Sequence, residues 1–354
     1  MHRPAATPKE KKRLKTLSTA LLLVVLGGLL PLSGHAQQAS TGFGSEPEVQ
    51  AFIASMHEQH GFDAADLSRQ FDAIHANATV LRLIRPSASP GKQRSWQRYR
   101  QRFVNGRRQA GGQSFWQEHG ALLQRAEAIY GVPPEVIVAI IGVETEYGHN
   151  MGSFDVLEAL ASLAFHYPPR AEFFRGELEQ FLLLSRENGV SPLDIKGSYA
   201  GAMGIPQFMP SSQRRFAVDF DGDGRIDLRS SPADAIGSVA SYLQQYGWEK
   251  GAPVAVPARV NGDPTALLAE GIKPVLTVRE LQARGVIAAA DDDAGRPAAL
   301  IDLVTPNEPT EYWLGFDNFY VITRYNRSSF YAMSVFQLAE ALREVRNNRL
   351  AAKP

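Results

Sequence analysis

The sequence predicts a mainly α-helical protein of the α+β kind, with one small β-containing lobe late in the chain. Three observations predict it. Apolar residues recur at helical spacing over most of residues 47–250. Prolines and glycines punctuate those stretches where helices begin and end. From about residue 251 the pattern changes to short β-branched runs bounded by Pro, Gly and Asp. At 354 residues the chain is also too long for a single small core.

Taken in order, residues 1–36 read as a secretory signal peptide. A cluster of Lys9, Lys11, Lys12, Arg13 and Lys15 precedes the apolar run Thr19–Leu30, and Gly34-His35-Ala36 offers small residues for cleavage before Gln37. The run is short for a membrane span. Residues 37–46 are small and polar and read as a linker. Val49, Phe52, Ile53 and Met56 predict helices from Pro47 to about Ala78, and residues 80–110 are rich in Arg and Gln. A long helical stretch runs from Ser114 to Tyr147, broken at Gly131, with Pro133-Pro134 in the first turn of its second part. Residues 155–189 predict two helices split at Tyr167-Pro168-Pro169, and Pro232–Tyr246 another, stopped by Gly247. Val254–Val256, Leu300–Val304 and Phe319–Thr323 read as strands of the small lobe, assigned to 251–317, and a last helix covers Ser329 to about Asn347. Residues 318–347 are taken as a return to the main body.

Composition narrows the function. Six of the 37 Lys and Arg residues but only one of the 37 Asp and Glu residues lie in 1–36, so the remainder is acidic, 31 against 36. That argues against nucleic acid as a partner, because such binding rests on clustered positive charge. The chain has no cysteine. Neither disulfides nor a lipid anchor on cysteine are expected, and the mature protein is expected to be soluble in the periplasm.

The most informative segment is Val136-Ile-Val-Ala-Ile-Ile-Gly-Val-Glu144-Thr-Glu146-Tyr-Gly148. At roughly 100° per residue, Ile137, Ile140 and Ile141 fall within about 60° of Glu144, while Glu146 lies about 200° away. Glu144 therefore points where the aliphatic residues point. A carboxyl on an apolar wall loses hydration when charged, so it holds its proton towards neutral pH. A general acid for glycosidic cleavage needs that property. The competing reading is a helix-end glutamate paired with an arginine.

Ile141–Gly148, Lys196-Gly-Ser-Tyr-Ala-Gly-Ala-Met-Gly-Ile-Pro-Gln-Phe-Met-Pro-Ser-Ser212 and Thr323-Arg-Tyr-Asn-Arg-Ser328 resemble the B-type lytic murein transglycosylases, from roughly residue 46 to residue 345. The resemblance implies a lysozyme-like core flanked by a helical and a β lobe, and peptidoglycan glycan strands as substrate. It implies cleavage of the β-1,4 bond between N-acetylmuramic acid and N-acetylglucosamine, leaving a 1,6-anhydromuramoyl end. Glu144 matches the family's catalytic acid. Ser198 and Gln207 match groups near that carboxyl, and Tyr99, Tyr242, Tyr325 and Tyr331 match tyrosines lining the cleft. Two-carboxylate glycosidases use a second acidic residue. None stands out in these motifs, so assistance by the substrate's 2-acetamido group would replace it. Trp96, Trp116, Trp248 and Trp313 have no matched role and read as packing residues. A muramidase that uses water, and an inactive calcium-stabilised glycan-binding protein, are the two rival readings.

Asp219-Phe-Asp221-Gly-Asp223-Gly-Arg225-Ile-Asp227 reproduces the first nine positions of an EF-hand loop. Carboxylates stand at positions 1, 3 and 5 and Arg225 at the position that ligates through its backbone carbonyl. Three alternating aspartates repel one another without a cation, so Ca²⁺ is expected in a structural role. Ser230 replaces the bidentate glutamate at position 12. The resemblance takes the last carboxylate from a later aspartate, here Asp234. No organic cofactor is expected.

Overall fold

A helix enclosed on every side organises the protein. The computed structural model describes residues 42–85, 94–289 and 293–351, so the leader expected at 1–36 and the first half of the expected linker, 37–41, lie outside the described residues. Helices α1 (Pro47–His60), α2 (Ala64–Asp72), α3 (Ala78–Leu83), α4 (Trp96–Phe103), α5 (Gly106–Glu118) and α6 (Gly120–Tyr130) lead to α7 (Pro134–Thr145). Every residue of α7 from Val136 to Val143 is buried. The apolar stripe read from the sequence is thus only one side of a helix that is apolar all round, as a central helix must be. α7 packs against α5 and α6, and against two later helices, α11 (Pro232–Gln245) and α15 (Ser329–Ala351).

Between them come strand β1 (Phe154–Asp155), α8 (Val156–His166), α9 (Ala171–Glu187), β2 (Lys196–Gly197) and α10 (Pro210–Phe216). α8 and α9 pack on each other and on α1–α3 around a core that includes Val49, Ile53, Phe71, Leu160 and Phe181. Residues 43–45, read as linker, belong to it. They form a 3₁₀ turn in which Phe43 is buried with its ring against Phe165 and His166. One aromatic residue with somewhere to pack outweighed the polar composition around it.

The small lobe is a five-stranded antiparallel sheet of β3 (Ala255–Val260), β4 (Leu276–Thr277), β5 (Val286–Ala288), β6 (Pro297–Leu303) and β7 (Glu311–Gly315), in the order β4-β6-β7-β3-β5. Short helices α12 (Thr265–Ala269) and α13 (Val278–Ala283) cover one face. β6 is buried on both faces. Ala298 and Leu300 join the lobe's own core, while Ala299, Ile301 and Leu303 join the core of α7, as period-two alternation requires.

Phe319–Thr323, expected to be a strand, lies instead in α14 (Asp317–Tyr325). Phe319, Ile322 and Thr323 are buried at helical spacing, and Asp317 stands in the first turn, where a carboxylate favours a helix. Tertiary packing overrode a β-branched composition. Among the described residues no single helix is long and apolar enough to cross a membrane.

Candidate active site

α7 ends at Thr145, and this is where the chemistry gathers. Glu146 and Tyr147 both leave the helix through left-handed backbone, with φ of 52° and 65°. Such conformations cost energy in non-glycine residues and persist only where the surroundings hold them. Here the holding is visible. Arg108 donates from its guanidinium to the carbonyls of Gly142, which also accepts the Glu146 N–H, and Val143, capping the helix end, and to Glu146 at 2.8 Å. Arg107 also pairs with Glu146, at 2.9 Å. Tyr147 donates to the Arg108 carbonyl at 2.7 Å and lays its ring on Gly111, Gly112 and Gly142. A Cβ on Gly142 would stand 2.5 Å from the Tyr147 oxygen, which explains a glycine inside a buried helix.

The arginine pairing that was the alternative reading for Glu144 is made by Glu146 instead. Glu144 makes no ion pair among the described residues, and its carboxyl accepts one hydrogen bond, 2.6 Å from the Tyr331 hydroxyl. Burial pushes the Glu144 carboxyl up from 4.5 to about 7; the Tyr331 hydrogen bond and the nearby positive charge of Arg108 pull the other way and are outweighed. No second carboxylate is among the groups that perturb it.

The four tyrosines singled out by sequence converge on this carboxyl. Burial raises the phenols of Tyr99, Tyr242, Tyr325 and Tyr331, and the Glu144 charge raises each of them further. Tyr325 stacks on Tyr331 at 14° between planes, and Tyr242 meets Tyr325 at 4.8 Å between ring centroids. Their hydroxyls are committed within the protein: Tyr242 donates to the Arg324 carbonyl and Tyr325 to that of Pro206, each at 2.6 Å. Tyr242 and Tyr331 are buried, and Tyr99 and Tyr325 keep partial exposure. The first pair therefore builds the wall, while the second has ring surface left for a ligand. Trp96, Trp116 and Trp248 are buried in the same core and Trp313 packs against it.

Opposite the helix end runs the turn 203–208, closed by a two-residue bridge between Met203 and Phe208. Gln207 takes a left-handed backbone, φ 52°. Its side-chain nitrogen donates to the carbonyls of Met151 and Gly204, both at 3.1 Å, which fixes the amide orientation and leaves the oxygen as its acceptor. Ser198 accepts from the backbone N–H groups of Ala200 and Ala202, at 3.3 and 3.0 Å, and so shapes its own loop. No hydrogen bond joins Ser198 or Gln207 to Glu144 among the described residues.

The aspartate loop lies on the far side of that turn, joined to it by a 2.8 Å hydrogen bond from Ile205 N–H to the Leu228 carbonyl. Carboxylate oxygens of Asp219, Asp221 and Asp223 lie within 4.8 Å of one another. Asp219 accepts from the N–H groups of Gly222, Asp223 and Gly224, and these bonds hold its carboxyl below the usual range. Asp234 stands behind the trio and is buried. It accepts from Phe220 N–H at 2.8 Å and Asp227 N–H at 2.7 Å, bracing the loop across its base. Arg225 is exposed. Arg108, Thr145 and Tyr147 were not singled out by sequence. Arg108 sits in an Arg/Gln-rich stretch with nothing to mark one arginine, whereas Thr145 and Tyr147 were in view beside Glu144.

Comparison with known proteins shows the family and the fold. Residues 44–340 match the family described as the transglycosylase SLT domain. The chain is 44% identical over 325 residues to the membrane-bound lytic murein transglycosylase B of Escherichia coli K12, covering 89% of this chain and 88% of that one. The soluble lytic transglycosylase SltB1 of Pseudomonas aeruginosa superposes with a TM-score of 0.79 at 47% identity, over 85% of this chain and 100% of that one. The Escherichia coli lytic transglycosylase Slt35, solved in complex with calcium, does so with a TM-score of 0.76 at 42% identity, over 88% and 98%.

Proposed function

The chain belongs to the SLT transglycosylase family, and from that premise we propose that it is a lytic murein transglycosylase in which Glu144 is the only proton-transfer residue. The observation that carries the mechanism is a carboxyl held near pKa 7, with no second carboxylate among the described residues that perturb it. Such a group can give a proton and take one back at neutral pH. Protonated Glu144 gives its proton to the oxygen of the β-1,4 bond between N-acetylmuramic acid and N-acetylglucosamine as the C1–O bond breaks. The acetamido oxygen of the muramic residue closes on C1 in place of an enzyme nucleophile. Ionised Glu144 then takes the proton of the C6 hydroxyl, whose oxygen displaces the acetamido oxygen from C1. The 1,6-anhydro ring forms and no water is consumed.

Around this step the Gln207 oxygen is available to the acetamide N–H, and the loop shaped by Ser198 borders the same space. Tyr99 and Tyr325 offer ring faces to the sugars, and Tyr242 and Tyr331 hold the wall behind Glu144. Peptidoglycan strands are the partner this reading requires, and a periplasmic location follows from the substrate. Calcium fits the aspartate loop by donor chemistry: clustered hard oxygens on a glycine-containing turn. Asp219, Asp221, Asp223 and the Arg225 carbonyl would hold the ion, with Asp234 closing the loop behind them. The ion would supply charge neutralisation and rigidity, not bond cleavage.

Mass spectrometry of muropeptides released from purified sacculi tests the reaction. The expected products end in 1,6-anhydromuramic acid. Products heavier by one water show a muramidase instead, and intact sacculi show a binding protein without activity.

A further inference from the structure

Thr145 directly follows Glu144 and is fully buried, yet no step above uses it. A buried hydroxyl costs stability unless it is hydrogen-bonded, and valine has nearly the same shape without that cost. The hydroxyl must therefore be accounted for by what it holds. It donates to the Ile205 carbonyl at 2.8 Å, a longer-range bond than its 3.3 Å approach to Ile141 one turn back, and accepts from Gly148 N–H at 3.0 Å.

Ile205 lies in a turn that is pinned carbonyl by carbonyl. Gly204 accepts from the backbone and side-chain nitrogens of Gln207, Ile205 from Thr145, and Pro206 from Tyr325. The bond from Thr145 is the one that comes from the helix carrying Glu144. The turn's outer side is tied to Leu228 through Ile205 N–H. Left-handed Gln207 has little backbone freedom of its own, so its side chain goes where the turn goes.

We propose that Thr145 is a positioning residue whose hydroxyl locks the Gln207 turn to the end of α7, keeping a fixed distance between the proton-transfer carboxyl and the amide that faces the sugar. The inference rests on the assignment of Glu144 and Gln207 above. Misplacement of reacting groups by about 1 Å can cost about 100-fold in rate. Thr145→Val is accordingly expected to lower kcat by roughly that factor with KM much less affected, measured well below its melting temperature. Thr145→Ser keeps the donor and is expected to recover most of the rate. Thr145→Cys matches serine in shape but donates weakly, and is expected to stay with valine. If the valine variant does not fold, the serine–cysteine pair decides. Parental kcat in Val or Cys, or equal kcat in Ser and Cys, overturns the proposal. Glu144→Gln assayed in parallel keeps the two ideas apart: an active glutamine variant removes the assignment of the acid, whereas an inert one beside a fully active Thr145→Val removes only this inference.

Discussion

The Glu144 carboxyl has a cost that can be measured without any substrate. Its value of about 7 in the folded chain stands against 4.5 when unfolded. Between those values the folded protein binds a proton that the unfolded chain has released, so stability falls as pH rises through the window. At about 1.4 kcal/mol per unit the loss above pH 7 is up to ~3 kcal/mol, and it is absent below 4.5. Glu144→Gln cannot ionise. It is expected to abolish turnover and also to raise the melting temperature over the parent at pH 8, with little gain at pH 4.5. An equal gain at both pH values would show that the carboxyl is not held protonated by the fold. A second expectation concerns activity. Because Glu144 must begin protonated, kcat/KM should fall as pH climbs through about 7. The Tyr331 hydrogen bond favours the ionised form, so Tyr331→Phe should move that alkaline limb to higher pH; a limb that stays put or moves down contradicts it. How far the sequence reached is clear here. Glu144 was legible because a charge among eight apolar neighbours is conspicuous, and its tyrosines because they match a family. Arg108 was not, since helix-end capping is geometry that spacing does not encode.

Among the elements, α7 shows how a local preference can be overruled. Gly142 lowers helix propensity by about 1 kcal/mol relative to alanine. Tyr147, boxed by three glycines and bonded to the Arg108 carbonyl, leaves no room for a methyl group. Gly142→Ala should therefore destabilise by about 1–3 kcal/mol, the usual cost of overpacking, rather than stabilise. Chemical denaturation reads the sign directly, and a stabilised variant would mean that Tyr147 can move aside freely. α14 teaches the converse lesson. Phe319–Thr323 looked like a strand because the burial that makes it a helix comes from partners distant in sequence. The aspartate loop was legible because its spacing is its chemistry. If it binds calcium in the native state only, chelation should lower the melting temperature and calcium restore it, by roughly 2.7 kcal/mol when the ion stands at about a hundred times its dissociation constant. Asp221→Ala should blunt that response. Metal-free protein that melts identically with and without calcium would reduce the loop to a turn.

For the molecule as a whole, the helical majority and the late sheet were readable from periodicity, whereas the way β6 serves two cores was not. A strand apolar on both faces gives a continuous run, and the run does not say what lies on either side. The same ambiguity attends the apolar run Thr19–Leu30, where a leader and a membrane anchor differ mainly in length. Were they helical, its 12 residues would reach only about 18 Å, well short of a hydrocarbon core of about 30 Å. Six basic residues and one acidic residue lie in positions 1–36, and the chain beyond them is acidic. That asymmetry suits a segment retained at the inner membrane face while the rest is exported. The body beyond it needs no disulfide, since three apolar cores hold the described residues together and the chain has no cysteine. Export should therefore yield a chain beginning at Gln37 that fractionates with soluble periplasmic contents and cuts sacculi without detergent. N-terminal sequencing after expression from the full reading frame checks this. A protein beginning at Met1 and pelleting with membranes would make the apolar run an anchor, and the enzyme a tethered one.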